Sequence, residues 1–157
     1  MKEIKLTQGR FALVDDEDYE YLNQWRWYYS DSGYAVRKPS SVRFFMHRVV
    51  INTPEGMFTD HINRNKLDNR RENLRICTRS QNCANVGILP SNTSGYKGVS
   101  FDSREGKWRA NIRVKGKKHS LGYFENIIEA VSAYNIAALE HFGEFAVLNQ
   151  SDKLVSF

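Results

Sequence analysis

Hydrophobic and polar residues change their period several times along the chain, and each change marks an element. Trp108 to Val114 alternates cleanly: Ala110, Ile112 and Val114 share one face, and Arg109, Asn111 and Arg113 share the other, as in a strand with one buried side. A strand over Tyr96 to Phe101 precedes it, and after a KGKK turn His119 to Phe124 supplies a third. Alternation there sets Lys118 and Ser120 against Leu121, and groups His119 with Leu121 and Tyr123. Asn126, with Glu129 three residues on, is a capping box that opens a helix expected to end near Gly143. Ala130, Ala133 and Ala137 give that helix a small-residue stripe, so it can lie close on a sheet.

In the middle of the chain, Leu74 and Ile76 alternate with Arg75 and Cys77, which predicts a short strand with one buried face. Thr78 followed by Gln81 is another capping box, so a helix begins at Arg79 and carries Asn82 in its first turns. The Asn- and Asp-rich stretch from Asn63 to Asn73 reads as a loop closed by side-chain hydrogen bonds, between one strand ending near Asp60 and His61 and the next. The order is strand, loop, strand, helix. Nearer the N-terminus, Phe11, Leu13 and Val14 precede an acidic run, and Tyr19, Leu22, Trp25 and Trp27 follow. A helix or turn from Asp16 is expected, then strands over Tyr34 to Val36 and Val42 to Val50. In the last strand His47 joins Phe45 and Val49, and Arg48 faces the other way. The aromatic residues read as core filling for a small domain, with base stacking as the alternative.

Between Ala84 and Ser94 periodicity disappears and Gly, Pro, Ser and Asn accumulate, which marks a linker. No internal repeat is apparent. The expected fold class is α+β: an N-terminal α+β region over 1–59 that packs on a strand–loop–strand–helix motif at 60–86, a linker at 87–94, a small three-stranded antiparallel sheet on one helix at 95–149, and a tail at 150–157.

Charge adds a partner class. A net charge of +5 and a pI near 9.2 favour an anionic partner. Acid concentrates in Asp15 to Glu20, whereas Arg104 to Lys118 carries seven basic residues against Glu105 alone. The N-terminus has no apolar signal core and no stretch is long enough to span a bilayer, so the expectation is a soluble cytoplasmic protein of a bacterial or phage-infected cell with no membrane partner. Cys77 and Cys83 form no CxxC pair, which argues against a structural zinc site and for reduced thiols.

Candidate chemistry concentrates in Asp60 to Asn85, DHINRNKLDNRRENLRICTRSQNCAN. An Asp beside a His, two later Asn residues (Asn73 and Asn82) and Arg64, Arg70, Arg71, Arg75 and Arg79 are the ingredients of phosphodiester cleavage. The Asp60 carboxylate and the Asn82 amide carbonyl are hard oxygen donors for a divalent cation, which would neutralise charge on the phosphate and the leaving oxygen. His61 can take a proton from water near neutral pH, and the arginines can grip phosphates bidentately. Neighbouring strand residues point to opposite faces, so Asp60 and His61 can serve one phosphate only where the strand ends or bulges.

The segment resembles the HNH endonucleases, whose ββα-metal finger carries an Asp-His pair, a central Asn and a later Asn or His. Its DHIN, ENL and SQN elements match the phage and intron homing branch. The resemblance makes Asp60 and Asn82 metal ligands, His61 the base and Asn73 the loop-bracing residue that completes the catalytic set. Asn rather than His at the third signature position suits Mg²⁺, or Mn²⁺, better than a soft metal. The likeness extends upstream to MHR, which makes His47 and Arg48 second-tier candidates for positioning phosphate.

Tyr96 to Asn149 resembles the Apetala-type (ethylene-response-factor) DNA-binding domain, in which a sheet enters the major groove. By position Lys97, Arg109, Asn111, Arg113, Lys118 and Ser120 fall on its DNA-facing side. Ser100 and Ser120 stand where that family often has Arg and Trp, so the base sequence it reads does not carry over.

Together these features predict a monomeric, metal-dependent homing endonuclease that acts on double-stranded DNA and on no small molecule. The sheet finds the site and the finger cuts. A non-cleaving DNA-binding regulator and an RNA-directed nuclease or binder are the rival readings.

Overall fold

The computed structural model describes residues 1–150, so most of the expected tail lies outside the described residues. The described residues form two compact units, divided between Arg79 and Ser80.

In the first unit β1 (Lys2–Lys5) pairs antiparallel with β2 (Phe11–Val14), and α1 (Asp16–Leu22) follows. Asp16, Glu17 and Asp18 fill the first turn of α1, where the helix dipole favours negative charge. A small sheet of β3 (Tyr28–Tyr29), β4 (Ala35–Arg37) and β5 (Phe44–Phe45) comes next, in that order. It leads directly into α2 (Met46–Val50). The expected strand over Val42 to Val50 is therefore corrected: only Phe44 and Phe45 are extended, and MHRVV is helical. A short apolar run carries no period of its own, and here Met46, His47 and Val50 face inward on helical spacing, which tertiary packing rewards over the β preference of the valines.

The hairpin of β6 (Phe58–His61) and β7 (Leu74–Cys77) closes this unit, with Asp60 opposite Arg75 and His61 opposite Leu74. Leu74 joins a core built from Ile4, Leu6, Ala12, Val14, Leu22, Trp27, Ala35, Met46 and Val50. Trp27 satisfies its indole by donating to the Leu22 carbonyl at 2.8 Å. The expected buried face of Leu74 with Ile76 is half right: Ile76 is 42% exposed, and the second buried residue is Cys77. The core beneath that face reaches Leu74 and does not extend to Ile76.

In the second unit, which the division enters within the first turn of α3 (Arg79–Ala84), the strands β8 (Val99–Asp102), β9 (Lys107–Val114) and β10 (Lys117–Phe124) form an antiparallel sheet with β9 central. The helix α4 (Ile127–Phe142) lies across it, burying Ala130, Val131, Tyr134, Ala137, Ala138 and Phe142. Asn126 caps α4 by accepting from the Ile128 amide at 2.8 Å, and Gly143 ends it with a positive φ, as the pattern predicts. Gly98 is required where it stands, because a Cβ there would meet the Tyr134 ring at 2.2 Å and the Asn111 carbonyl at 2.6 Å. The residues expected to be a linker are irregular but pinned: Asn92 accepts from the Gly95 amide, and the Ser94 hydroxyl donates to the Val99 carbonyl.

One register difference changes a face. Ser120 pairs with Asn111, but Gly122 pairs with Ala110, so Leu121 is a bulge. Tyr123 therefore stands opposite Arg109 on the charged face, not with His119 as strict alternation predicts.

Candidate active site and basic sheet

His61 is the last residue of β6, so the strand ends where the Asp-His pair needs it to end. Asp60 is 4% and His61 5% exposed, which removes both from bulk water. Asp60 Oδ2 accepts from Arg75 Nε at 2.9 Å and Nη2 at 2.8 Å, a cross-strand pair that orients the carboxylate.

His61 Nε2 lies 3.3 Å from Asn69 Oδ1. Asn69 Nδ2 donates to the Leu67 carbonyl, which turns Oδ1 toward the ring as an acceptor. Nε2 therefore donates, and Nδ1 is the ring nitrogen with the lone pair. Burial lowers the His61 pKa below its ordinary value, although Asn69, Asp60 and Asp68 push the other way. The imidazole is thereby kept neutral and basic near pH 7.

The loop between the strands is held by its own side chains. Asn73 Oδ1 accepts from the Asn63 amide at 2.9 Å, and its Nδ2 donates to the Asp68 carbonyl at 2.8 Å. Asn63 Nδ2 donates to Asp68 Oδ2, and Asn63 Oδ1 accepts from the Asn65 amide. The loop is also zipped to β2: the Leu13 amide donates to the Leu67 carbonyl, and the Asn69 amide donates to the Leu13 carbonyl, both at 2.8 Å.

Its arginines are mostly engaged. Arg70 is paired with Asp68 at 2.7 Å and with Glu72. Arg71 reaches Asp18 at 2.6 Å and Glu17 at 3.0 Å. Both guanidinium pKa values are raised, chiefly by the hydrogen bonds to Asp68 and Asp18 respectively. Arg64, with a positive φ, is exposed at the loop tip.

Against His61 stands an aromatic wall. The His47 ring is centred 5.0 Å and the Tyr34 ring 6.0 Å from it, and Phe45 lies 5.5 Å from His47. His47 is buried, its Nδ1 has no hydrogen-bond partner among the described residues, and desolvation above all, with His61 and Arg48 nearby, pushes its pKa down to about 3. Arg48 donates to the carbonyls of Met57 at 2.8 Å and Pro54 at 3.3 Å, bracing the turn before β6.

Asn69, Asp68 and Tyr34 were not singled out by sequence reasoning. The DN dipeptide four residues before ENL was the available signal for the first two; Tyr34 reaches the site only through tertiary folding.

Asn82 lies on α3, in the second unit. Among the described residues no three His, Cys, Asp or Glu side chains gather as a metal cage. The donor beside His61 in the first unit, the Asp60 carboxylate, is a hard oxygen, which fits a divalent cation that keeps most of its water shell better than a tetrahedral zinc.

In the second unit Arg109, Asn111 and Arg113 line one face of β9, opposite Tyr123, Ser120 and Lys118 of β10. Lys118 and Ser120 are exposed. Arg113 Nη1 donates to the Gly116 carbonyl at 3.0 Å, and Arg109 lies 3.6 Å from Asp102. Lys97 differs from these: its ammonium donates to the carbonyls of Ala84 and Val86. Among the described residues no helix is long and apolar enough to cross a membrane.

The pattern of the HNH endonuclease family matches residues 52–84. An uncharacterized HNH endonuclease of Acanthamoeba polyphaga mimivirus is 33% identical over 150 residues, covering 92% of this chain and 78% of its own. A protein named as an SPbeta prophage-derived HNH homing endonuclease of Bacillus subtilis is 37% identical over 61% of this chain and 52% of its own. An ethylene-responsive transcription factor of Arabidopsis thaliana is 29% identical over 70% of this chain, but over only 25% of its own length. No solved structure gives a significant match. The chain belongs to the HNH endonuclease family.

Proposed function

We propose that this protein is a sequence-targeted DNA endonuclease, cutting with the site around His61 and finding its target with the exposed face of β9 and β10. The observation that carries the chemistry is a buried His61 kept neutral by burial, hydrogen-bonded through Nε2 and adjacent to a carboxylate held by Arg75.

Asp60 would be a ligand of a divalent cation, most simply Mg²⁺, and Asn82 is a ligand as the HNH resemblance implies. Bound there, such a cation supplies charge neutralisation at the phosphate and at the departing 3′ oxygen. His61 takes a proton from water, the resulting hydroxide attacks phosphorus, and the P–O3′ bond breaks. Asn73 positions the loop by holding Asn63 and Asp68, and Asn69 fixes the His61 ring. Arg64 is the loop arginine suited to a phosphate contact, because Arg70 and Arg71 already hold carboxylates.

On the second unit Arg113, Asn111 and Arg109, with Lys118 and Ser120, form the surface proposed to enter a major groove, as the Apetala-type likeness implies. The substrate is duplex DNA, and a monomer with one such site cuts one strand at a time.

Supercoiled plasmid incubated with wild-type or His61→Ala protein, in Mg²⁺ or in chelator, tests this reading. Nicking that needs both the metal and His61 is expected. Cutting that survives His61→Ala would remove the assigned base.

A further inference from the structure

In the first unit, outside the cleavage loop, Arg37, Arg43 and Arg48 stand near one another with no carboxylate partner among the described residues. Arg37 on β4, Arg43 just before β5 and Arg48 on α2 line a groove of about 650 Å³ together with Tyr21 of α1, Phe44 of β5 and Asn52. No Asp or Glu lines it. Arg48 is fixed by the carbonyls of Met57 and Pro54, neutral acceptors that hold the guanidinium without cancelling its charge. The guanidinium of Arg37 lies 4.1 Å from the Trp25 ring centre and 4.5 Å from that of Phe44, and its buried Nε has no hydrogen-bond partner among the described residues. Arg43 is exposed. Arg70, Arg71 and Arg75, by contrast, are all tied to acids.

The groove also offers aromatic planes. Tyr21 is 54% exposed, and its ring meets Trp25 edge-to-face at 4.7 Å, which leaves it standing in the lining. Phe44 is 36% exposed. Cations without acids suit a phosphate, and an exposed ring beside them suits the flat face of a base. Bases inside a duplex are covered on both faces by their neighbours, so a protein ring can stack only on one that has left the helix. The volume falls within the usual range for a pocket that encloses a small ligand.

We propose that this groove binds an unpaired nucleotide of a DNA strand, its base on Tyr21 and its phosphate on Arg43 and Arg48. The proposal rests on the reading of DNA as substrate, and it gives the first unit a strand-holding site of its own, apart from the sheet face of the second.

The test uses the full chain in chelator, with a short labelled single-stranded DNA oligonucleotide, the same sequence as duplex, and its RNA counterpart, read by fluorescence anisotropy. Wild type binds the single-stranded DNA, and Tyr21→Ala weakens it at least about fivefold, with Tyr21→Phe close to wild type. Arg43→Ala weakens it and steepens no other property, since the residue is exposed. Three results overturn the proposal: no wild-type binding of the single strand, an unchanged affinity in Tyr21→Ala, or a Tyr21→Ala loss equal for duplex and single strand. Tighter binding of the RNA than of the DNA overturns the assignment to DNA. Protein that nicks plasmid while ignoring Tyr21 refutes the groove alone. Protein that binds through Tyr21 but never cuts refutes the nuclease reading alone.

Discussion

The cleavage loop and the β9–β10 face are both rich in arginine, yet they treat its charge in opposite ways. In the loop Arg70 and Arg71, and beside it on β7 Arg75, are each closed onto carboxylates, two of them on Asp18 and Asp60, residues far away in sequence. On the sheet Arg109 lies 3.6 Å from Asp102, but among the described residues Arg113 meets only a carbonyl, and Lys118 is exposed. Charge count alone would make both regions phosphate grips. The geometry instead makes the loop a rigid frame, in which arginine sets the shape around His61, and leaves the sheet face with charge to offer a partner. Five substitutions, two of them read together with pH profiles, break or sharpen that contrast.

The largest effect belongs to the frame's purpose. His61→Ala should lower cleavage by roughly 10² to 10⁴-fold while affinity for uncut DNA stays unchanged, measured by nicking and by gel shift in parallel. Loss of binding with the fold intact would mean that His61 holds the substrate and is not the base. Because burial lowers its pKa, the acid limb of the wild-type pH–rate profile should lie below the ordinary histidine value of 6.5. A limb above that value would contradict the buried neutral imidazole.

Next comes the frame itself. Asn73→Ala leaves the Asn63 amide and the Asp68 carbonyl without their partner, at a cost of about 1–3 kcal/mol in stability. Thermal unfolding measures it. A variant that loses cleavage but unfolds like wild type would show that Asn73 acts on the substrate and not on the loop.

Much of this frame is legible in sequence. The Asn- and Asp-rich stretch announces a loop closed by side chains, because those residues bond their own backbone neighbours, and the strand–loop–strand order follows. The strand ending at His61 also meets the requirement that adjacent residues serve one phosphate. What escapes the sequence is tertiary. Nothing local says that Arg71 will reach Asp18 or that MHRVV will coil, since a five-residue segment is too short for its pattern to separate a strand from a helix. Asn69 looks like one more turn-former until the fold sets its amide against His61. The bulge at Leu121 is invisible to alternation, and it moves Tyr123 onto the charged face.

The aromatic wall behind His61 makes a contribution that shows only as pH falls. His47 is buried neutral with its pKa held down to about 3, so folding excludes a proton that the unfolded chain takes up below about 6.5. Its contribution is therefore complete above pH 6.5 and declines as pH falls toward 3, by at most about 1.4 kcal/mol per pH unit. Thermal scans across that window should show the decline in wild type and a flatter profile in His47→Gln. An identical slope in both proteins would assign the loss to other groups.

The smallest effects fall on the sheet, and there the shape of the loss is more informative than its size. Arg113 sits near the turn end of the exposed face and Lys118 directly opposite it. If Arg113 reads a base, Arg113→Ala should weaken target binding by about 1–3 kcal/mol and leave random DNA almost unaffected. Lys118→Ala should weaken all sequences alike and lower the salt dependence of binding by about one unit of slope, because a released phosphate contact returns one counterion. Titrations on target and scrambled duplex at several salt concentrations separate the two. Equal, salt-sensitive losses for both variants would make the face a plain phosphate surface, and targeting would then have to come from DNA shape or from the first unit. Loss in neither would show that the sheet's open charge faces no DNA, and the contrast between a closed frame and an open reader would fail at its second half.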